Sequence, residues 1–180
     1  MGSNRHLGRI IAIQTIYEYD VRSQAKDPLA TMDGIMMKNL VPYNTNVKDR
    51  PFIRELVEGV EQHMEEIDKI LTPLAPERPI KELSAIDRAI LQLATFEVLW
   101  RKDQVPAKVA INEAVELAKT FGGDNSSKFI NGVLGAVWRK YIMEENEGSD
   151  TKEGGDPEKD DDKSSGEGAD RGSSDLPEGA

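Results

Sequence analysis

Residues 121–137 read "FGGDNSSKFINGVLGAV", from Phe121 to Val137. Two glycines stop one helix, a short polar run turns the chain, and apolar residues then recur at helical spacing through Ile130, Val133, Leu134, Val137 and Tyr141. Gly122 is placed to take the left-handed conformation that often closes a helix. Asp124, Asn125 or Ser126 is placed to cap the next one. That next helix holds Gly132 and Gly135 on the flank away from its apolar stripe, although a glycine inside a helix costs about 1 kcal/mol relative to alanine. Small residues on a flank mean that something approaches the backbone there. A packed neighbouring helix is the simpler occupant, and a ligand is the alternative. In the first turn, Lys128 would add to an anion site made of free amides, and Phe129 offers a flat face beside it.

The same helix–break–helix pattern extends toward the N-terminus. The spacing predicts a helix from about Asn4 to Arg22, with Leu7, Ile10, Ile11, Gln14, Tyr17 and Val21 on its inner stripe. A short second helix follows Pro28, and a long third one spans about Arg50 to Leu71 with Phe52, Leu56, Val60, Met64, Ile67 and Leu71 inward. Pro73, Pro76 and Pro79 then make a stiff connection. Beyond it, Ser84 caps a helix to Trp100, Pro106 opens a helix to Phe121, and the last helix runs from about Asn125 to Tyr141. No run of β-branched alternation competes with this reading. The expected fold class is all-α, with about six to seven helices in two packed helical subdomains, about 4–72 and 79–143.

Composition narrows the chemistry. A chain of 180 residues is long enough for one domain with a proper core. It has no cysteine, which excludes disulfides, zinc ribbons and thiol nucleophiles. His6 and His63 are its two imidazoles, so a histidine-rich metal site is not expected. There is no run of eighteen apolar residues, hence no expected membrane span. The net charge of −10 is concentrated at one end: 14 acidic and 4 basic residues fall from Glu144 onward, against 19 of each from Met1 to Met143. Residues 144–180 lack aromatics and are expected to form a disordered acidic tail, while 1–143 form the folded domain.

Two features stand out on the helix faces. On the first helix, Arg5, Arg9, Ala12, Ile16 and Tyr19 fall opposite the inner stripe. They read either as a solvated face hiding a second packing partner or as a phosphate-gripping patch with an aromatic for stacking. On the helix after the prolines, Glu97 interrupts the apolar row of Ile86, Ala89, Ile90, Leu93, Phe96 and Trp100. A buried carboxylate must be paired or hydrogen-bonded. Glu97 has no accompanying nucleophile or second acid at a fixed spacing, so it reads as a structural acceptor from a neighbouring helix.

Four pieces in order, "RIIAIQTIYEYD", "LSAIDRAILQLATFEVLW", "VPAKVAINEAVELAKTFG" and "SSKFINGVLGAV", resemble the NusB family of transcription antitermination factors. The resemblance covers Asn4 to Trp138 and leaves the acidic tail outside. It implies a non-enzymatic, cytoplasmic RNA-binding protein with no cofactor. It further implies binding of the boxA segment of ribosomal RNA transcripts together with a small-subunit ribosomal protein, NusE, in support of the RNA polymerase elongation complex. By position it assigns RNA contacts to Arg5, His6, Arg9, Asn125, Ser126, Lys128 and Phe129, and the ribosomal-protein face to Glu82 and Asp87. Departures accompany it: two N-terminal arginines where three or four are common, Gln92 in place of an arginine that would contact phosphate, Asn125 in place of an acid, and Gly135 in place of an aspartate. A related helical domain also precedes the catalytic domain of ribosomal RNA cytosine methyltransferases, but only the acidic tail follows Tyr141. A helical protein-interaction module acting in ribosome assembly, including a homodimer through the small-residue flanks, is the third reading.

Overall fold

The computed structural model describes residues 4–76 and 78–144; the disorder expected of the tail falls, from residue 145, outside them. The described chain forms six α-helices and no strand: α1 (Asn4–Gln24), α2 (Met32–Leu40), α3 (Arg50–Leu71), α4 (Ala85–Trp100), α5 (Ala107–Phe121) and α6 (Ser126–Trp138). Short 3-10 turns sit at Val41–Tyr43, Thr72–Leu74 and Ile80–Glu82, and α6 widens into a π-type turn over Arg139–Met143. The all-α expectation holds.

Polar side chains start α2, α3 and α4, whereas α6 begins after Asn125 without the side-chain cap expected of Asp124, Asn125 or Ser126. The Thr31 hydroxyl accepts from the Gly34 amide, the Asp49 carboxylate from Phe52, and the Ser84 hydroxyl from Asp87, at 3.1–3.2 Å. Each satisfies one of the amides that a helix start leaves without an internal partner. Pro106 sits one residue earlier than expected, as the extended residue before α5 rather than its first helical one.

Helices α1, α2 and α3 pack on one another, α5 and α6 pair, and α4 lies against α1, α3, α5 and α6. Every residue of α4 from Asp87 to Val98 is buried. At the α3–α4 crossing a side chain on Gly59 would put its Cβ 2.0 Å from Phe96 Cζ, so glycine there is what lets the ring seat. Arg88 ties the proline-rich connection to this centre. Its Nη1 donates to the carbonyls of Ile80, Lys81 and Leu83 at 3.1–3.3 Å, and its Nε donates to Asp20 on α1.

The inner stripe of α3 is as expected, with Met64 half-buried. That of α1 is not. Arg9, Ala12 and Ile16, opposite that stripe, are buried, so the hidden packing partner is real and the face is not solvated there, while Tyr17 and Val21 of the stripe are each 42% exposed. Because α1 packs against α2, α3 and α4, its buried arc extends past a single stripe. Two other expectations change. Phe121 is exposed at the end of α5. Gly122 is extended (φ −87°, ψ −178°) rather than left-handed, and its lack of a side chain is instead required by Ser126 Cβ, 2.5 Å from where its own Cβ would lie.

Candidate nucleic-acid interface

The residues assigned to RNA fall into two clusters. At the first, Gly8 allows Phe52 of α3 to lie against α1, since a Cβ at that position would be 2.9 Å from Phe52 Cδ1. Three guanidinium groups surround this ring: those of Arg5, Arg9 and Arg101 lie 5.1, 5.5 and 5.3 Å from its centroid. That is within the range of cation–π attraction. Arg5 is exposed and able to reach a ligand.

Arg9 is not. It is 3% exposed, and it grips Glu97 of α4 with two hydrogen bonds of 2.8 Å, Nε to Oε2 and Nη2 to Oε1. Its Nη1 also donates to Glu113 Oε2 of α5 at 3.5 Å, and His6 Nδ1 lies 2.8 Å from the same oxygen. The unexplained carboxylate in the α4 row and the arginine assigned to the surface are thus partners. Glu97 accepts from a neighbouring helix's side chain, as its sequence setting demands. Glu113 then anchors His6, so that one acid on α4 and one on α5 hold the N-terminal turns of α1.

The second cluster is a groove between the α3–α4 connection and α6. It has a volume of about 630 Å³ and includes Ala75, Arg78, Asn125, Lys128, Phe129 and Gly132 in its lining. Lys128 and Asn125 are exposed, and Phe129 is half-buried with its ring 5.3 Å from the Arg78 guanidinium. Ser126 is buried, its hydroxyl accepting from the Gly123 amide at 2.9 Å, so it shapes the turn and does not face the groove. Gly132 does not serve helix packing as the simpler sequence reading holds. Nothing lies within 4 Å of where its Cβ would be, and its bare backbone forms part of the groove wall.

Glu82, assigned to the protein partner, is exposed in the turn before α4. Asp87 is 3% exposed, with Oδ1 unpartnered and turned into the protein. Gln92 is buried too, and its amide donates to Asp68 of α3 at 2.9 Å, so position 92 faces no phosphate. Arg78 is the residue that sequence reasoning missed. It stands within the proline-rich connection read as a spacer, and only the fold brings it over Phe129.

A protein-family model described as the NusB family matches residues 6–139. The chain belongs to the NusB family. Among curated relatives, a transcription antitermination protein NusB from Chloroflexus aggregans is 39% identical over 145 residues, covering 80% of this chain and 93% of that one. The fold is similar to that of T. maritima NusB, with a TM-score of 0.69 at 27% identity over 82% of this chain and 99% of that chain. It is also similar to a structure of the antitermination factors NusB and NusE in complex with dsRNA, with a TM-score of 0.68 at 25% identity over 78% and 100%. The family match includes the Arg9–Glu97 pair and the Lys128–Phe129 groove, so both clusters belong to the NusB-like part of the chain. Among the described residues no helix is long and apolar enough to cross a membrane, and no group of three or more acids and histidines is placed to hold a metal ion.

Proposed function

We propose that this NusB-family chain is an RNA-binding transcription antitermination factor. It binds boxA-type RNA in ribosomal RNA transcripts together with the small-subunit ribosomal protein NusE, and supports processive elongation by RNA polymerase. It acts by binding, without catalysis, in the cytoplasm where transcripts emerge. The observation that carries this reading is the α6 groove, whose lining joins Lys128 and Arg78 with the half-buried ring of Phe129, over which the Arg78 guanidinium lies. Two cations and an aromatic side chain in one groove suit an unpaired base and its phosphates.

Arg5, Asn125, Lys128, Phe129 and Arg78 are the direct contacts in this reading. His6, Arg9 and Ser126 are positioning residues, and Glu82 contributes to the face for a basic protein partner, with Asp87 supporting the start of α4 from within. The test is a titration of labelled boxA RNA with the full chain, alone and with NusE, against a scrambled RNA of equal length. Preferential, salt-sensitive binding that NusE strengthens is expected, with log affinity falling by about 0.7 per tenfold salt for each neutralised phosphate. Equal binding of the two RNAs in the presence of NusE would overturn the proposal.

A further inference from the structure

A second groove, of about 380 Å³, opens between α5 and α6 on the other side of Gly132. Its lining includes Lys108 and Asn112 from α5, Asn131 and Gly135 from α6, and Trp138 and Arg139 where α6 gives way to the π-type turn. Lys108, Asn112, Asn131 and Arg139 are exposed, and Trp138 is half-buried. Gly132 lines both grooves and has nothing above it, and at Gly135 the nearest atom to a notional Cβ is Arg139 Nη1, at 3.5 Å. Gly132 is therefore a bare point of backbone between the two cavities, while the Arg139 guanidinium lies against Gly135.

Among the described residues, the linings of these two grooves hold cations and no carboxylate, whereas the other cavities include acids. Arg9, Arg22, Arg54, Arg88 and Arg101 are all paired with carboxylates. Among the described residues, Arg78, Lys128, Lys108 and Arg139 are not, and no carboxylate lines either groove. Each groove thus combines two uncompensated cations with an aromatic side chain, Phe129 in one and Trp138 in the other. The second adds the amides of Asn112 and Asn131, which offer both donors and acceptors to base edges. A third cavity, against α3 and α4, has two aromatics as well but includes Glu55 and Glu58, and carries no such excess of positive charge.

We infer that the α5–α6 groove is a second subsite for single-stranded RNA, reached across Gly132 by nucleotides flanking the segment bound at Phe129. Lys108 and Arg139 neutralise phosphates, Trp138 presents a stacking face, and the absence of a side chain at Gly132 leaves room for the RNA backbone to cross α6. This rests on the RNA-binding reading of the first groove, and the experiment separates the two.

Full-length protein is titrated with the core boxA oligonucleotide and with the same RNA extended by unpaired uridines at one end or the other. One extension is expected to tighten binding several-fold and to steepen the salt dependence by about 1.4, as two further phosphates require. The double variant Lys108→Ala/Arg139→Ala, which alters two exposed side chains, is expected to abolish that gain while binding the core RNA as before. In a Trp100→Phe background, which leaves Trp138 as the single tryptophan, the extended RNA is expected to quench fluorescence more than the core RNA. If the core RNA binds but neither extension gains affinity, or the double variant keeps the gain, the second subsite is overturned and the first groove stands. If the core RNA does not bind, both are overturned.

Discussion

Arg9 on α1 and Glu97 on α4, 88 residues apart in sequence, face each other through two parallel hydrogen bonds of 2.8 Å in the protein interior. Removing one partner strands a buried charge, which costs about 3–5 kcal/mol. Arg9→Ala and Glu97→Ala are each expected to lower stability by that order in urea denaturation. The double variant Arg9→Met/Glu97→Leu is expected to recover most of the loss, because an apolar pair of similar volume does not pay for desolvation. The recovered double variant also separates two roles for Arg9. Retained RNA affinity identifies it as a positioning residue, and a loss at restored stability would make it a direct contact.

At the groove, Phe129→Ala is expected to weaken RNA binding by about 1–3 kcal/mol, the usual worth of a stacked base. Lys128→Ala is expected to weaken it less but to reduce the salt slope by about 0.7. Both can be read from anisotropy titrations across a salt series. An unchanged slope for the lysine variant would remove Lys128 from the phosphate contacts.

Gly132→Ala separates folding from binding. A Cβ there meets nothing within 4 Å, and alanine favours a helix over glycine by about 1 kcal/mol. Stability is therefore expected to rise while RNA affinity falls, because the added methyl group narrows the groove wall. A variant improved in both respects contradicts the role given to this position.

Gly59→Ala is expected to act in the opposite sense on stability. Its Cβ would overlap the Phe96 ring, which is buried and stacked on Trp100. Overpacking of this kind costs about 1–3 kcal/mol. Adding Phe96→Leu in the same chain is expected to restore part of it, and denaturation midpoints of the single and double variants check the coupling.

A pH dependence follows from Glu18. Its hydrogen bond from the Lys38 ammonium at 2.6 Å, joined by Arg22, holds the carboxyl below the ordinary glutamate range against the opposing effect of burial. A folded-state value below the unfolded one adds stability above the unfolded pKa, and that stability is lost as pH falls through the folded one. Lys38 is well exposed, so the contribution is small, about 0.5 kcal/mol. Glu18→Gln is expected to show a slightly shallower loss of stability on acidification than the parent chain; identical acid limbs would exclude the linkage.

The helices, and the start of α4, were legible because they depend on neighbours close in sequence: Ser84 caps with an amide three residues on, and the α3 stripe repeats at every turn. Faces of α1 were not, because which side is buried depends on α4, which lies far along the chain. Arg9 looks like a surface arginine until Glu97 is brought to it. Glu97 itself was readable as a paired acid, since an apolar row leaves a carboxylate no other tolerable state. Gly122 misled for a different reason. Its position after a helix suggests a special dihedral, whereas the actual constraint is the return of Ser126 onto it. Lys128 and Phe129 were legible as neighbours, but Arg78 enters their groove only through the path of the connection.

The burial of α4 on all sides also has a consequence for how the chain comes off the ribosome. The three helices made first lack the element that covers α1 and α3, and the buried guanidinium of Arg9 lacks its carboxylate, until synthesis has passed Glu97. The first half of the nascent chain is therefore left with an open apolar face and an unmatched internal charge. Completion of its core waits on α4.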